Sequence, residues 1–148
     1  MARNKKPLIY IIASTFYKEI SLRQIENAHS VLLEELKIPQ NRIKILETEG
    51  SLELPYLINA VCKKHKPDGI LALGCIIKGQ TNHFELISTS VTNNLIQISL
   101  RYNIPITSGV LTVMNKKQIR SRTSGGSKDR AIEAARSLVK LIRISGSL

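Results

Sequence analysis

Four short apolar runs alternate with stretches of helical periodicity along this chain, and that alternation restricts the fold more than any other feature. The runs are 8–13 (LIYIIA), 42–46 (RIKIL), 70–77 (ILALGCII) and 104–111 (IPITSGVL). The first and third are continuously apolar, as expected for strands covered on both faces. The second alternates and reads as a less buried strand. Between them, Leu22, Ile25, Ala28, Leu32 and Leu36 repeat at helical spacing up to the stop at Pro39. Leu57, Ile58, Val61 and Cys62 mark a second helix over 52–65, with Pro55 in its first turn. Further helices are expected over 83–101, 114–122 and 130–142. The last carries Ala131, Ala134, Ala135, Leu138 and Leu141 on one stripe, small enough for close helix approach.

Strand-helix repetition of this kind predicts an α/β chain: three layers, α/β/α, around a four-stranded parallel sheet, flavodoxin-like and doubly wound. One domain is expected over 1–148, with residues 1–7 as its basic, flexible N-terminus. Ligands of such sheets bind beyond the carboxyl ends of the strands. The loops expected to meet there are 14–16, 49–53, 75–83 and 111–115.

Composition narrows the function classes. With no tryptophan and two phenylalanines, the core must be aliphatic, and each aromatic invites a reason. The formal net charge of +11 is either a solvated surface or an invitation to a polyanion, a nucleic acid or a phosphorylated metabolite. No zinc-finger spacing or aromatic RNA-binding motif accompanies the charge, so nucleic acid is a minor alternative. Cys62 and Cys75, the two cysteines, read as buried free thiols rather than as a disulfide framework or metal ligands. No apolar stretch has the length of a membrane span, and no secretory signal is recognisable, so a cytoplasmic protein without membrane partners is expected.

The loops carry unusual residues for connectors. Phe16 directly follows the first strand and either stacks on a flat heterocycle or plugs the sheet end. Gly50, Ser51, Leu52 and Glu53 place a glycine, a hydroxyl and a carboxylate at a helix start, where amides receive anions or polar groups and where an acid also stabilises the helix itself. Lys78, Gly79, Gln80, Thr81 and Asn82 form a polar turn before His83. There Gly79 permits an unusual backbone angle, the amides can line an anion nest, and the helix start favours a neutral imidazole suited to proton transfer. The plain alternative for His83 is a helix cap. Arg122, beside the Gly125-Gly126 link, is either a bidentate phosphate ligand or a solvated side chain. Walker and dinucleotide fingerprints are absent.

Residues 72–84 (ALGCIIKGQTNHF) resemble the ALGxVIRGxTxHF signature of the lumazine synthases. Residues 50–55 (GSLELP) resemble that family's G-[AS]-x-E-[IL]-P loop, and 109–112 its GVLT strand end. Gln118, Arg122 and Glu133-Ala134-Ala135 match its C-terminal pattern, so the similarity extends from about 8 to 142. The resemblance implies condensation of 5-amino-6-(D-ribitylamino)uracil with 3,4-dihydroxy-2-butanone 4-phosphate to 6,7-dimethyl-8-ribityllumazine, the penultimate step of riboflavin biosynthesis. It assigns ring stacking to Phe16, the ribityl hydroxyls to Ser51 and Glu53 within the 50–53 loop, and ring contacts to Cys75, Ile76 and Ile77. Gly79, Gln80 and Thr81 would cradle phosphate, Arg122 would reach it from a neighbouring subunit, and His83 would move protons. Ser108 and Arg130 stand at ring-contacting positions.

No metal or redox cofactor is implied. The implied partner is the chain itself, as a homopentamer and by extension a hollow sixty-subunit shell, with riboflavin synthase a candidate second partner. Departures from the family pattern are Tyr17, Glu49, Gln80, Ser108 and the Asp129-Arg130-Ala131 segment. A lumazine- or flavin-binding protein without efficient synthesis is the alternative they leave open.

Overall fold

A computed structural model describes residues 5–80 and 83–148 of the chain. Strands β1 (Ile9–Ser14), β2 (Ile43–Thr48), β3 (Gly69–Ile77) and β4 (Ile106–Val113) form one sheet in the order β2-β1-β3-β4. All three pairings are parallel. Helices α1 (Lys18–Leu36), α2 (Leu54–His65), α3 (Phe84–Tyr102), α4 (Lys117–Arg122) and α5 (Arg130–Ser147) complete the chain. This is the three-layer, flavodoxin-like arrangement that the strand-helix alternation predicts.

The alternation of side chains along each strand divides the core between the two faces. Ile9, Ile11, Ala13, Leu71 and Leu73 pack with Ile25, Ala28 and Leu32 of α1 and with Ala131, Ala135 and Leu138 of α5. Tyr10, Ile12, Ile70 and Ala72 face the other way, onto Ile58 and Val61 of α2 and Val91 and Leu95 of α3. Every residue of β1 and β3 is buried, as a strand covered on both faces requires. Edge strand β2 buries only Ile43; Lys44, Ile45 and Glu47 are exposed, and Leu46 and Thr48 are half-buried.

Small residues set the spacing of α5 from the sheet. A Cβ on Gly109 would lie 3.2 Å from Ala131 Cα and 2.8 Å from Leu73 Cδ2, so the close approach depends on glycine. The expected stripes differ at their margins. Leu22 and Leu141 are exposed rather than buried, because each sits at the flank of its helix's core-facing side. Helix α5 also continues to Ser147, and β4 begins at Ile106 rather than 104. Pro105 cannot donate a ladder hydrogen bond; its carbonyl instead accepts from Ile70 N at 2.9 Å.

One buried and one half-buried polar side chain on α1 connect the layers. Gln24 Nε2 donates to the carbonyls of Gly74 (3.0 Å) and Gly109 (3.1 Å), one on β3 and one on β4. Asn27 Nδ2 donates to Thr123 O at 3.2 Å and to Asp129 Oδ2 at 2.8 Å. Both residues therefore hold the carboxyl-terminal half of the sheet and the α4–α5 connection in place.

Candidate functional site

Strand order reverses at β1. The chain leaves β1 for β2 on one side and returns to β3 on the other, which opens a crevice at the carboxyl ends of β1 and β3. A groove of about 590 Å³ lies there. Phe16 and Tyr17 bound it after β1, residues 49–53 after β2, and Cys75, Ile76 and Ile77 at the end of β3. Ile87 of α3 closes one side. The size suits a small organic ligand.

The base of this groove is built from hydroxyls. Ser14 ends β1 with its side chain buried, and its Oγ lies 3.1 Å from Ser51 Oγ. Gly74, on β3, makes room for them: a Cβ there would collide with Ser14 Oγ and lie 3.2 Å from Ser51 Oγ. The 50–53 loop closes as a single 3-10 turn, in which Glu53 N donates to Gly50 O at 3.2 Å. Pro55 occupies the first turn of α2, where its missing N–H has no partner to lose. Leu52 is exposed on the outside of the turn, and the Glu53 carboxylate folds back over Gly50.

At the mouth, Phe16 is 72% exposed and meets Tyr17 edge-on, with ring centroids 5.0 Å apart. An aromatic plugging the sheet end would be buried, so this ring is available to a flat ligand. Burial raises the Tyr17 phenol above its ordinary pKa, with the neighbouring Cys75 thiol adding to the shift. The Cys75 thiol is itself pushed up to about 11 by burial, which keeps it protonated and unreactive near neutrality. Cys62 is likewise buried and free.

Among the described residues, the groove wall carries two carboxylates, Glu49 and Glu53, and no lysine or arginine. Such a lining favours hydroxyl and N–H donors over an anion. The charge it lacks stands on other segments. Lys78 and Gly79 are exposed where β3 ends. Gly79 does not have the positive φ expected of it; among the described glycines only Gly125 does, at 86°. Among the described residues, nothing lies within 4 Å of where a Cβ on Gly79 would stand. Thr81 and the side chain of Gln80 lie outside the described residues. His83 is the exposed residue preceding α3, and its side chain makes no capping hydrogen bond to that helix, contrary to the plain alternative.

Arg122 and Arg130 are not in this groove. They line a second one, of about 450 Å³, against Val110, Leu111 and Thr112 of edge strand β4. Lys128 adds a third cation and Glu133 one carboxylate, which pairs with Arg130 at 3.1 Å. Ser108 lines neither groove; it is exposed on β4, two residues before Val110, and its Oγ accepts from Val110 N at 3.2 Å. The connection between Arg122 and Arg130 is fixed by Asp129, which is 1% exposed. Its Oδ2 accepts from Gly125 N and Asn27 Nδ2, each at 2.8 Å, and its Oδ1 caps α5 through Ile132 N at 3.1 Å.

A single chain thus presents an acidic, hydroxyl-lined groove with an aromatic lip and, apart from it, a cationic groove on the sheet edge. Ser14, Gly74 and Asp129 are essential to this geometry, and only Gly74 stood within a quoted motif. Among the described residues, no group of three or more His, Cys, Asp and Glu side chains could hold a metal ion. No helix among them is long and apolar enough to cross a membrane.

These features define an α/β protein with a groove of small-molecule size at the switch point of a flavodoxin-like sheet. The family profile described as 6,7-dimethyl-8-ribityllumazine synthase matches residues 6–145. A protein of that name from Leuconostoc mesenteroides subsp. mesenteroides is 37% identical over 141 residues, covering 95% of this chain and 88% of its own. Another, from Buchnera aphidicola subsp. Schizaphis graminum, is 33% identical over 144 residues, covering 97% and 91%. A third, from Wigglesworthia glossinidia brevipalpis, is 32% identical over 142 residues, covering 96% and 92%. The chain belongs to the 6,7-dimethyl-8-ribityllumazine synthase family.

Proposed function

We propose that this protein condenses 5-amino-6-(D-ribitylamino)uracil with 3,4-dihydroxy-2-butanone 4-phosphate, giving 6,7-dimethyl-8-ribityllumazine with release of phosphate and water. The observation that carries the reading is the groove at the β1–β3 crevice, with the exposed Phe16 ring over hydroxyl and carboxylate groups. A pyrimidine stacks on Phe16, while the ribityl chain lies along Ser51 and Glu53 and donates to them. Cys75, Ile76 and Ile77 supply the apolar floor and backbone groups, with Gly50 and Leu52 completing the turn.

The phosphate end of the second substrate needs cations, and the first groove has none in its wall among the described residues. Lys78, the Gly79-Gln80-Thr81 segment and an arginine hold it. Arg122 lines a separate groove on the same chain, so it serves the site of an adjacent copy, accompanied by Arg130 and by Ser108 on the same edge. Exposed Leu86, Ile96 and Leu100 lie along one face of α3, an apolar strip that contact with another copy would cover. The assembly proposed is a homopentamer, with the larger shell as its extension.

The reaction is a sequence of proton transfers. The ring amine attacks the ketone and one water leaves to form an imine; phosphate departs by elimination, the resulting enol becomes a ketone, and the ribitylamino nitrogen closes the ring on that carbonyl with loss of a second water. His83 relays protons at these steps and contributes on the order of 10²-fold. Holding two flexible substrates in register contributes more.

Incubating the purified protein with both substrates and following product fluorescence tests the reading. Turnover is expected, together with a loss of about 10²-fold in kcat for His83→Ala. Arg122→Ala is expected to raise KM for the phosphate substrate while leaving ring binding intact. Tight binding of the lumazine with no turnover at high enzyme concentration would establish the binding-protein alternative instead.

A further inference from the structure

A third groove, of about 550 Å³, backs onto the first across the carboxyl end of β3 and the start of α1. Tyr17 and Ile77 line both, but none of its residues belongs to the Arg122 groove. Lys18 and Arg23 come from α1, and Lys116 and Arg120 from the segment around α4. One carboxylate, Glu19, faces these four cations. All five side chains are exposed, and none of the four cations makes a salt bridge among the described residues. Cations from two segments, at 18–23 and 116–120, therefore bring an uncompensated excess of positive charge to one concavity.

Tyr17, Ile20, Ile77 and Ile119 form the remainder of the lining. Ile119 is buried in a small cluster with Cys75, Ile77, Leu111 and Val113, so the floor is a packed apolar surface. Cations around an apolar floor beside a tyrosine ring match a ligand with a multiply charged phosphate group and a flat apolar portion. A groove of this volume takes a small molecule. An RNA or DNA strand would need a longer track of stacking rings and cations, and Tyr17 is the single aromatic residue in this lining.

We propose that this groove is a second anion site, separate from the site of the condensation, for a small phosphorylated compound bearing a ring. Arg23 and Arg120 grip the phosphates from two elements, Lys18 and Lys116 add charge, and the ring rests against Tyr17 and the isoleucine floor.

Calorimetric titration with adenosine diphosphate and with inorganic tripolyphosphate tests the site on the full chain. Wild type is expected to bind both saturably at 150 mM salt, about 1 ligand per chain, and more weakly as salt rises. Arg23→Ala/Arg120→Ala is expected to weaken both by at least about tenfold. Tyr17→Ala is expected to weaken the diphosphate selectively, and Arg122→Ala to leave both within about twofold. Arg23→Gln/Arg120→Gln, with less change in bulk, repeats the loss if the alanine pair folds poorly. Unchanged affinity in the folded arginine variants overturns the proposal. So does loss of binding on Arg122→Ala alone, which would place the anion in the other cationic groove. Tighter, multi-chain binding of an oligonucleotide with no saturable binding of either small probe would assign the charge to nucleic acid.

Discussion

Ser14 Oγ and Ser51 Oγ lie 3.1 Å apart in the buried base of the groove, joining the end of β1 to the turn that follows β2. The two hydroxyls are 37 residues apart in sequence and meet because Gly74 has no side chain between them. The Glu53 turn therefore rests on a backbone position in a third element.

Gly74→Ala should test that dependence. The added methyl group has no space beside Ser14, and β3 is buried along its length. A loss of about 1–3 kcal/mol in urea unfolding is expected from the overpacking. Gly74→Ala/Ser14→Ala should recover part of it, since the second change removes the atom that collides. An unaffected single variant would mean that the three elements are not held as described.

Asp129→Ala should separate positioning from folding. The change removes the cap of α5 and leaves Gly125 N and Asn27 Nδ2 without their acceptor. Loss of the cap alone costs about 1 kcal/mol, and the unmet donors add to it. Freed from Asp129, the connection between Arg122 and Arg130 should raise KM for the phosphate substrate more than it lowers kcat. Asp129→Asn should restore the α5 cap and part of the KM, because one oxygen still accepts. Equal kinetic effects of both variants would contradict this account.

Phe16→Ala should show the opposite pattern. The ring is mostly exposed, so unfolding free energy should change by no more than about 0.5 kcal/mol. Affinity for a ribityl-pyrimidine or lumazine ligand should fall by about tenfold, measured by equilibrium titration. A stability loss with unchanged affinity would make the ring a structural plug.

Alkaline pH should destabilise the fold through the two thiols. Burial pushes Cys62 and Cys75 up to about 11, from 9.0 for an unhindered thiol. Between those values the unfolded chain has lost these protons while the native chain retains them, so stability falls as pH rises. The slope is at most about 1.4 kcal/mol per pH unit for each thiol. Urea unfolding from pH 8 to 10.5 should show a shallower decline for Cys75→Ala than for wild type. Identical slopes would mean that the thiol is not held neutral by the fold.

Local chemistry along the chain determined the element types, their order and the layer that each joins. Continuous apolarity over 70–77 requires a strand covered on both faces, the 3.6-residue repeat from Ile25 to Leu32 requires a helix with one buried side, and strand-helix alternation requires parallel crossovers. The motif residues at 50–55 and 72–79 are legible for the same reason: each is a continuous segment at a strand end or helix start.

Tertiary structure alone decided which segments meet. Gln24, Asn27 and Asp129 carry polar side chains that look like surface residues, yet Gln24 and Asp129 are each 1% exposed. Their partners, Gly74 O, Gly109 O and Gly125 N among them, lie far along the chain or depend on the turn it makes. Burial of a polar group depends on whether the fold supplies its hydrogen bonds, which no periodicity encodes. The separation of Arg122 and Arg130 from the Phe16 groove has the same origin. Their distance is set by how α5 and β4 pack through Ala131 and Gly109, not by spacing in the sequence.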